Sequence, residues 1–139
     1  MYKIKNFTDN DDVRIVDQKG PFTVVEYIKD LSVFPSTAAR AYYSSKMNVH
    51  KRQVICDLSQ ANITTQSGAM QWSVGNVNAT TGIKGVGDLF GKAIRGKATG
   101  ESAIKPEYTG DGKLILEPTY MNIILLDVAD WNGSIVLDR

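Results

Sequence analysis

A near match to a phosphate-binding loop is the first stretch whose residue types could do chemistry. The run from Gly91 to Lys97 spaces its glycines and its lysine as in GxxxxGK followed by Ser or Thr. In that motif backbone N–H groups and the lysine hold phosphates, and the final hydroxyl binds Mg²⁺. Ala98 occupies the hydroxyl position, and Thr99 follows one residue late. The surrounding pattern also lacks the buried strand and the long helix that such a loop connects. We therefore expect neither nucleotide binding nor any other cofactor.

The stretch 84–105 is a second candidate because it is both basic and amphipathic. It holds five basic residues against two acidic ones, and its apolar residues can line one face of a short helix near 86–95. The candidate interaction loop within it consists of Lys84, Val86, Leu89, Phe90, Lys92, Ile94, Arg95 and Lys97. Three roles stay open for this loop. It could contact an anionic membrane surface, hold single-stranded RNA with Phe90 and Trp72 stacking on bases, or be a solvated loop that covers one end of a sheet.

Residues for acid–base, nucleophilic or metal chemistry do not form a recognisable set. Glu101 and Glu117 could approach each other across a sheet as an acid–base pair, but no histidine supports them. The chain has one histidine, His50, and one cysteine, Cys56, whereas a catalytic zinc site needs three protein ligands. We expect His50, beside Lys51 and Arg52, to be a surface residue or part of an anion site. Cys56 is expected to be a buried, unreactive thiol. The sequence thus predicts no catalytic or metal site and a protein that is not an enzyme.

Length and charge limit the class of protein. A chain of 139 residues is expected to form a single β-rich domain with its own core. The 16 basic and 15 acidic residues leave a net charge of +1, which argues against a dedicated nucleic-acid binder. The single cysteine excludes an internal disulfide, and the N-terminus has no apolar signal core. These features favour a reducing, cytoplasmic compartment.

The first half of the chain predicts a hairpin, a helix and a strand. Val13–Val16 and Phe22–Ile28 are β-branched runs on either side of Gly20-Pro21, a turn signal. Pro35 precedes a helix at Ser36–Met47, which Ser36 or Thr37 could cap. Tyr42 and Tyr43 on this helix are expected to pack on a sheet, with a ligand platform as the alternative. Arg52–Leu58 follows as a strand buried on at least one side.

The second half predicts an all-β pattern of short strands and turns. Glycine-containing turn sequences predict one hairpin around Gly75-Asn76 and another around Gly110-Asp-Gly112. Met121–Val128 is nearly all apolar and predicts a central strand, while residues 1–12 predict a short first strand and a turn. The other predicted strands are Ile63–Gln66, Ala69–Val74, Val77–Thr81, Ser102–Tyr108, Lys113–Glu117 and Ser134–Leu137. Many short strands with one helix near 36–47 indicate a β-sandwich or an open barrel, and the pattern does not choose between them.

Several short motifs in this order resemble a known family. They are Gly68-Ala-Met-Gln-Trp72, Gly75-Asn-Val77, Gly82-Ile-Lys-Gly-Val-Gly87, Gly100-Glu-Ser102 and Leu116-Glu-Pro118. Together they are similar to the altered inheritance of mitochondria 24 family over about residues 60–139. The resemblance implies a fold like that of the trp RNA-binding attenuation protein, within the double-stranded β-helix group, and it implies self-association. It transfers no catalytic residues. Since family members continue into a second β half, the resemblance also implies that this chain is the N-terminal part of a longer protein.

We therefore expect a non-enzymatic assembly or protein-interaction module, with a link to membrane-associated organisation implied by the resemblance. Its partners would be further copies of itself through strand edges, another protein or a membrane surface. One alternative is a small-ligand-binding or enzymatic barrel of the cupin type, which would require an enclosed pocket with convergent polar groups. A further alternative is single-stranded RNA binding through residues 84–105, which would be strongly salt-dependent.

Overall fold

The computed structural model describes residues 3–80 and 105–133, and these residues form a mainly β structure with one helix. The strands are β1 (Val13–Lys19), β2 (Phe22–Tyr27), β3 (Arg52–Asp57), β4 (Ile63–Thr64), β5 (Met70–Thr80) and β6 (Glu107–Leu116). The helix α1 spans Ala38–Lys46, and a 3₁₀ turn spans Val128–Trp131. The mainly β prediction is confirmed. The predicted strand Ser134–Leu137, the predicted helix near 86–95 and the whole candidate interaction loop lie outside the described residues.

All six strands belong to one antiparallel sheet that curls into half of a barrel. Its order runs β1-β2-β3-β6. β3 pairs with residues 113–115 of β6, and β4 pairs with residues 107–108 of the same strand. β5 pairs with β6 along its whole length, from Glu107 to Leu116. Because a strand has only two edges, β3 and β4 share one edge of β6 and β5 takes the other.

The sheet is apolar on both of its faces. Cys56 and Leu114 lie in one cluster of buried side chains, together with Leu58, Ile63 and Tyr108. Val25, Ile55 and Ile115 form another with Val13. Since successive strand residues point to opposite faces, Ile55 and Cys56 bury the two sides of β3. The prediction that this strand is buried is therefore confirmed.

The predicted β1–β2 hairpin and the predicted helix are confirmed. Gly20 adopts φ +52° in the β1–β2 turn, which suits glycine because it has no side chain to clash there. Helix α1 begins after Thr37 and ends at Met47, beyond which Asn48 has φ +59°. That left-handed residue stops the helix where the sequence predicts. The Thr37 side chain does not cap the helix; its hydroxyl instead donates to the carbonyl of Phe34.

The two hairpins predicted around Gly75-Asn76 and Gly110-Asp-Gly112 are wrong, because β5 and β6 continue straight through these glycines. Gly75 pairs with Gly112, and Val77 pairs with Gly110. Gly110 has φ +126°, and a Cβ added there would lie 2.1 Å from the backbone oxygen of Asn76. Gly110 and Gly112 are required by the close approach of two strands, and the chain does not reverse at either predicted turn.

Two other predicted strands are not strands. Residues 122–127 have no strand pairing within the described part of the chain, so the prediction of a central strand at Met121–Val128 is wrong. Residues 5–12 form turns and bends, and the short first strand predicted there is also wrong. Asn10 explains the second case, because its side-chain oxygen accepts from the backbone N–H groups of Asp12 and Val13. Such local bonds compete with a strand ladder.

Candidate interaction surface

The stretch Met121–Asp127, which we call the crossing segment, runs from one end of the sheet to the other. Just before it, Thr119 pairs with Arg52 at the start of β3, with N···O distances of 2.7 and 2.8 Å. At its far end, Asp127 lies 3.6 Å from the ammonium of Lys19, the last residue of β1. Arg52 pairs with Glu26 and Lys19 pairs with Phe22 at opposite ends of β2. The two anchors therefore place the ends of the crossing segment at opposite ends of the sheet, one at β3 and the other at β1.

Burial alternates along the crossing segment as it does in an extended chain. Ile123 and Leu125 are half-buried, whereas Ile124 is 75% exposed and Leu126 is 44% exposed. The outward row therefore consists of large apolar side chains. Large apolar patches on a protein surface mark sites of contact with other molecules.

The backbone of the crossing segment is also unpaired. Within the part of the chain that the structure describes, no hydrogen bond joins the backbone of residues 122–126 to any other group. Unpaired N–H and C=O groups along an extended chain are a template for another strand. The segment thus offers both an apolar row and free backbone groups.

Two regular strands form the outer edges of the described sheet. β1 carries exposed Ile15 and Val16, but a bulge between Ile15 and Asp17 leaves Val16 without a partner. Such a bulge bends an edge away from regular pairing. β5 has ten residues paired with β6 and is mostly exposed. Its outer edge is therefore the second place where the described sheet could accept a strand.

Helix α1 does not pack on the sheet, which corrects the prediction for its tyrosines. None of its residues is buried, and both Tyr42 and Tyr43 are exposed. The two rings meet edge to face, with centroids 5.5 Å apart, and the ammonium of Lys46 lies 5.2 Å from the Tyr42 centroid. The helix instead forms one side of a cleft of about 700 Å³. Tyr27, Lys51 and Tyr120 lie on the cleft's other side.

A buried carboxylate, Glu26, is a feature that was not predicted from the sequence. It lies 2.7 Å from Nη2 of Arg14 and 2.6 Å from Nη2 of Arg52. Burial raises the pKa of Glu26, but the hydrogen bond from Arg14 and the charges of both arginines outweigh it and lower the pKa overall. The sequence signal that could have indicated a buried carboxylate is a charged residue inside the apolar run Val24-Val-Glu-Tyr27. Its role here is to tie three neighbouring strands together.

A second buried polar network centres on Gln53. Its amide donates to the carbonyl of Leu116 at 2.6 Å and to Oε1 of Gln71 at 2.8 Å. Its oxygen accepts from the hydroxyl of Tyr27 at 2.5 Å. Buried amides are costly unless they are paired in this way. No local pattern in the sequence indicates this network, because its members come from four separated parts of the chain.

Lys51 and Tyr27 at the cleft, and Cys56 in the core, have pKa values that keep them in their ordinary charge states. Lys51 lies 2.6 Å from Asp30; this hydrogen bond raises the pKa of Lys51, so the amine stays protonated and is not a nucleophile. Burial raises the pKa of the Tyr27 hydroxyl and raises that of the Cys56 thiol to about 11. A thiol with that pKa is almost fully protonated at neutral pH. The prediction that Cys56 is buried is confirmed, and its lack of reactivity stays a prediction.

The remaining candidates for chemistry in the sequence are His50, Glu101 and Glu117. His50 is half-buried at the α1 cleft, and Glu117 is exposed. Glu101 lies outside the described residues, so its separation from Glu117, which the sequence does not fix, stays untested. Within residues 3–80 and 105–133 there is no group of three or more His, Cys, Asp or Glu side chains that could hold a metal ion.

The strand ends on either side of the candidate interaction loop are neighbours in the sheet. Thr80, the last residue of β5, pairs with Glu107, the first residue of β6. Among the described residues no helix is long and apolar enough to cross a membrane.

Comparison with protein families gives one match. The model of the family described as mitochondrial biogenesis AIM24 matches residues 45–139. This range includes β3 to β6 and the crossing segment but not β1 and β2. Comparisons with curated proteins and with solved structures find no match.

Proposed function

We propose that the chain, which belongs to the family described as mitochondrial biogenesis AIM24, is a non-enzymatic assembly module. In this proposal it pairs with further copies of itself. The crossing segment is the contact surface. The observation that carries this proposal is its outward row of exposed apolar side chains beside unpaired backbone groups. An extended chain that is apolar on both sides is suited to burial on both sides.

The composition of the crossing segment suits pairing with an identical chain. In a two-fold symmetric contact both copies use the same surface. A charged residue near the symmetry axis therefore lies close to the same charge on the other copy. Residues 121–126 contain no charged side chain, and antiparallel pairing of two such segments brings no like charges together. Ile124 of one copy would then pack beside Leu126 or Ile124 of the other.

Sedimentation equilibrium of the full chain tests this function. We expect the unaltered chain to show concentration-dependent association. Ile124→Lys and Leu126→Lys should each weaken the association by about tenfold or more, because each places a charge in the apolar row. Both side chains are substantially exposed, so neither change should disturb the fold.

Leu31→Lys is the matched control, because Leu31 is 80% exposed and lies far along the chain from the crossing segment. It should associate as the unaltered chain does. A chain that stays monomeric at every concentration would count against the proposal. So would Ile124→Lys variants that associate like the unaltered chain.

We further propose that the curled half-barrel is the double-stranded β-helix arrangement implied by the family resemblance. A crystal structure of the associated chain tests this arrangement. We also propose a cytoplasmic location, supported by the single buried thiol. Imaging of the tagged protein in its native cell tests that location against a mitochondrial one.

A further inference from the structure

The cleft beside α1 has the size and lining of a small-molecule site. Its volume is about 700 Å³, within the range of about 300–1,000 Å³ that ligand pockets occupy. The helix supplies Arg40 and Tyr42, and the sheet side supplies Tyr27, Lys51 and Tyr120. Ile28, Val33 and Val49 add apolar surface between them.

The cleft carries an excess of positive charge. Asp30 is the one carboxylate among its lining residues, and it is already paired with Lys51 at 2.6 Å and accepts from the hydroxyl of Ser32. Arg40 has no ion-pair partner within the described part of the chain. The lining thus combines one guanidinium with the exposed rings of Tyr42 and Tyr120. This combination favours a ligand that joins an acid group to a planar apolar body.

We propose that this cleft binds an amphipathic organic anion with an aromatic body. The acid group pairs with Arg40, and the body lies against the rings of Tyr42 and Tyr120. The cleft adjoins the crossing segment at Tyr120, but no residue of that segment lines it, so ligand binding there goes beyond the proposed function. Binding would also give α1 the tertiary contacts that it lacks, and a nine-residue helix is marginal without such contacts.

The probe is 2-naphthoate, and its neutral analogue 2-naphthalenemethanol is the ligand control. Titration of the isotope-labelled full chain, followed by amide chemical shifts, measures both affinities and locates the site. We expect saturable shifts at Tyr42, Val49 and Tyr120, with naphthoate bound about tenfold more tightly than the alcohol. Tyr120→Ser should weaken both compounds.

Arg40→Gln separates the charge from the cavity. Glutamine has a helix propensity close to that of arginine, so α1 should persist while naphthoate affinity falls about tenfold to that of the alcohol. Lys5→Gln removes an exposed cation that does not line the cleft, and it should leave affinity unchanged. Three results would overturn the proposal: no saturable shifts, equal affinity for the two compounds, or an Arg40→Gln variant that binds naphthoate normally.

Discussion

The guanidinium of Arg52 lies 2.6 Å from the carboxylate of Glu26, whose side chain is only 3% exposed. The two residues are direct neighbours across the β2–β3 ladder, and Arg14 is the neighbour of Glu26 across β1–β2. The Glu26 carboxylate therefore joins β1, β2 and β3. It does so at the end of the sheet where Thr119 pairs with Arg52.

We predict that Glu26→Gln destabilises the protein by about 3 kcal/mol, because it leaves the largely buried Arg52 without its counter-charge. Urea unfolding measures the change. Asp11→Asn is the control, since Asp11 pairs with Lys29 on the open surface, where ion pairs contribute little. Equal, small effects of the two changes would show that the buried pair does not stabilise the fold.

Gly110→Ala should destabilise the protein by at least about 2 kcal/mol, because the new Cβ would collide with the backbone of Asn76 at a positive φ. Gly68→Ala is the matched control. Gly68 also has a positive φ, +82°, but a Cβ added there would meet no heavy atom within 4 Å. It should cost about 1 kcal/mol. Thermal or urea unfolding that ranks the two variants in the opposite order would contradict the close approach of β5 and β6.

Acid should weaken the fold through Asp57. A hydrogen bond from Ser59, with further ones from Lys113 and Gln60, lowers the pKa of Asp57 from 3.8 to about 2 despite partial burial. A carboxyl group with a lowered pKa stabilises the folded state above its unfolded pKa, and that stability is lost as the pH falls toward 2. Between pH 4 and pH 2 the free energy of unfolding of Asp57→Asn should therefore fall by about 2 kcal/mol less than that of the unaltered chain. An unchanged acid profile in the variant would refute the assignment.

The Cys56 thiol should resist alkylation in the folded protein. It is fully buried, and burial raises its pKa to about 11, so little thiolate exists at pH 8. Iodoacetamide followed by mass spectrometry should show no adduct without denaturant and complete modification in urea. Rapid labelling of the native chain would mean that β3 opens far more readily than its position in the core suggests.

Local signals in the sequence were sufficient for the β1–β2 hairpin, α1 and β3. The β-branched runs around Gly20-Pro21 fix a hairpin whose turn is only two residues long. The alanine-rich stretch after Pro35 forms α1, because helix propensity acts within a few residues. β3 is recognisable because it is apolar on both faces.

Long-range pairing explains why the second half was mispredicted. Gly75 and Gly112 each lie in a turn-like dipeptide or tripeptide, but they face each other across 36 intervening residues. Nothing local distinguishes a glycine that permits a turn from one that permits two strands to approach. The same limit hid the site residues that meet at Gln53.

The crossing segment was predicted to be a central strand, and the structure shows it exposed on one side. Its pattern correctly indicates apolar side chains on both sides, and Ile123 and Leu125 do face the protein. Ile124 and Leu126 do not, because the described chain provides no second layer over them. In the proposed assembly a second copy supplies that layer, and the sequence pattern then describes the associated state.

A distance measurement between two copies tests the proposed assembly most directly. A spin label attached through Asn122→Cys would lie at the end of the crossing segment, and the buried Cys56 would stay unlabelled. Double electron–electron resonance should give one short, well-defined distance at high protein concentration and none after Ile124→Lys is added. A label that shows no dipolar coupling in an associated sample, or a distance that survives Ile124→Lys, would contradict pairing through the crossing segment.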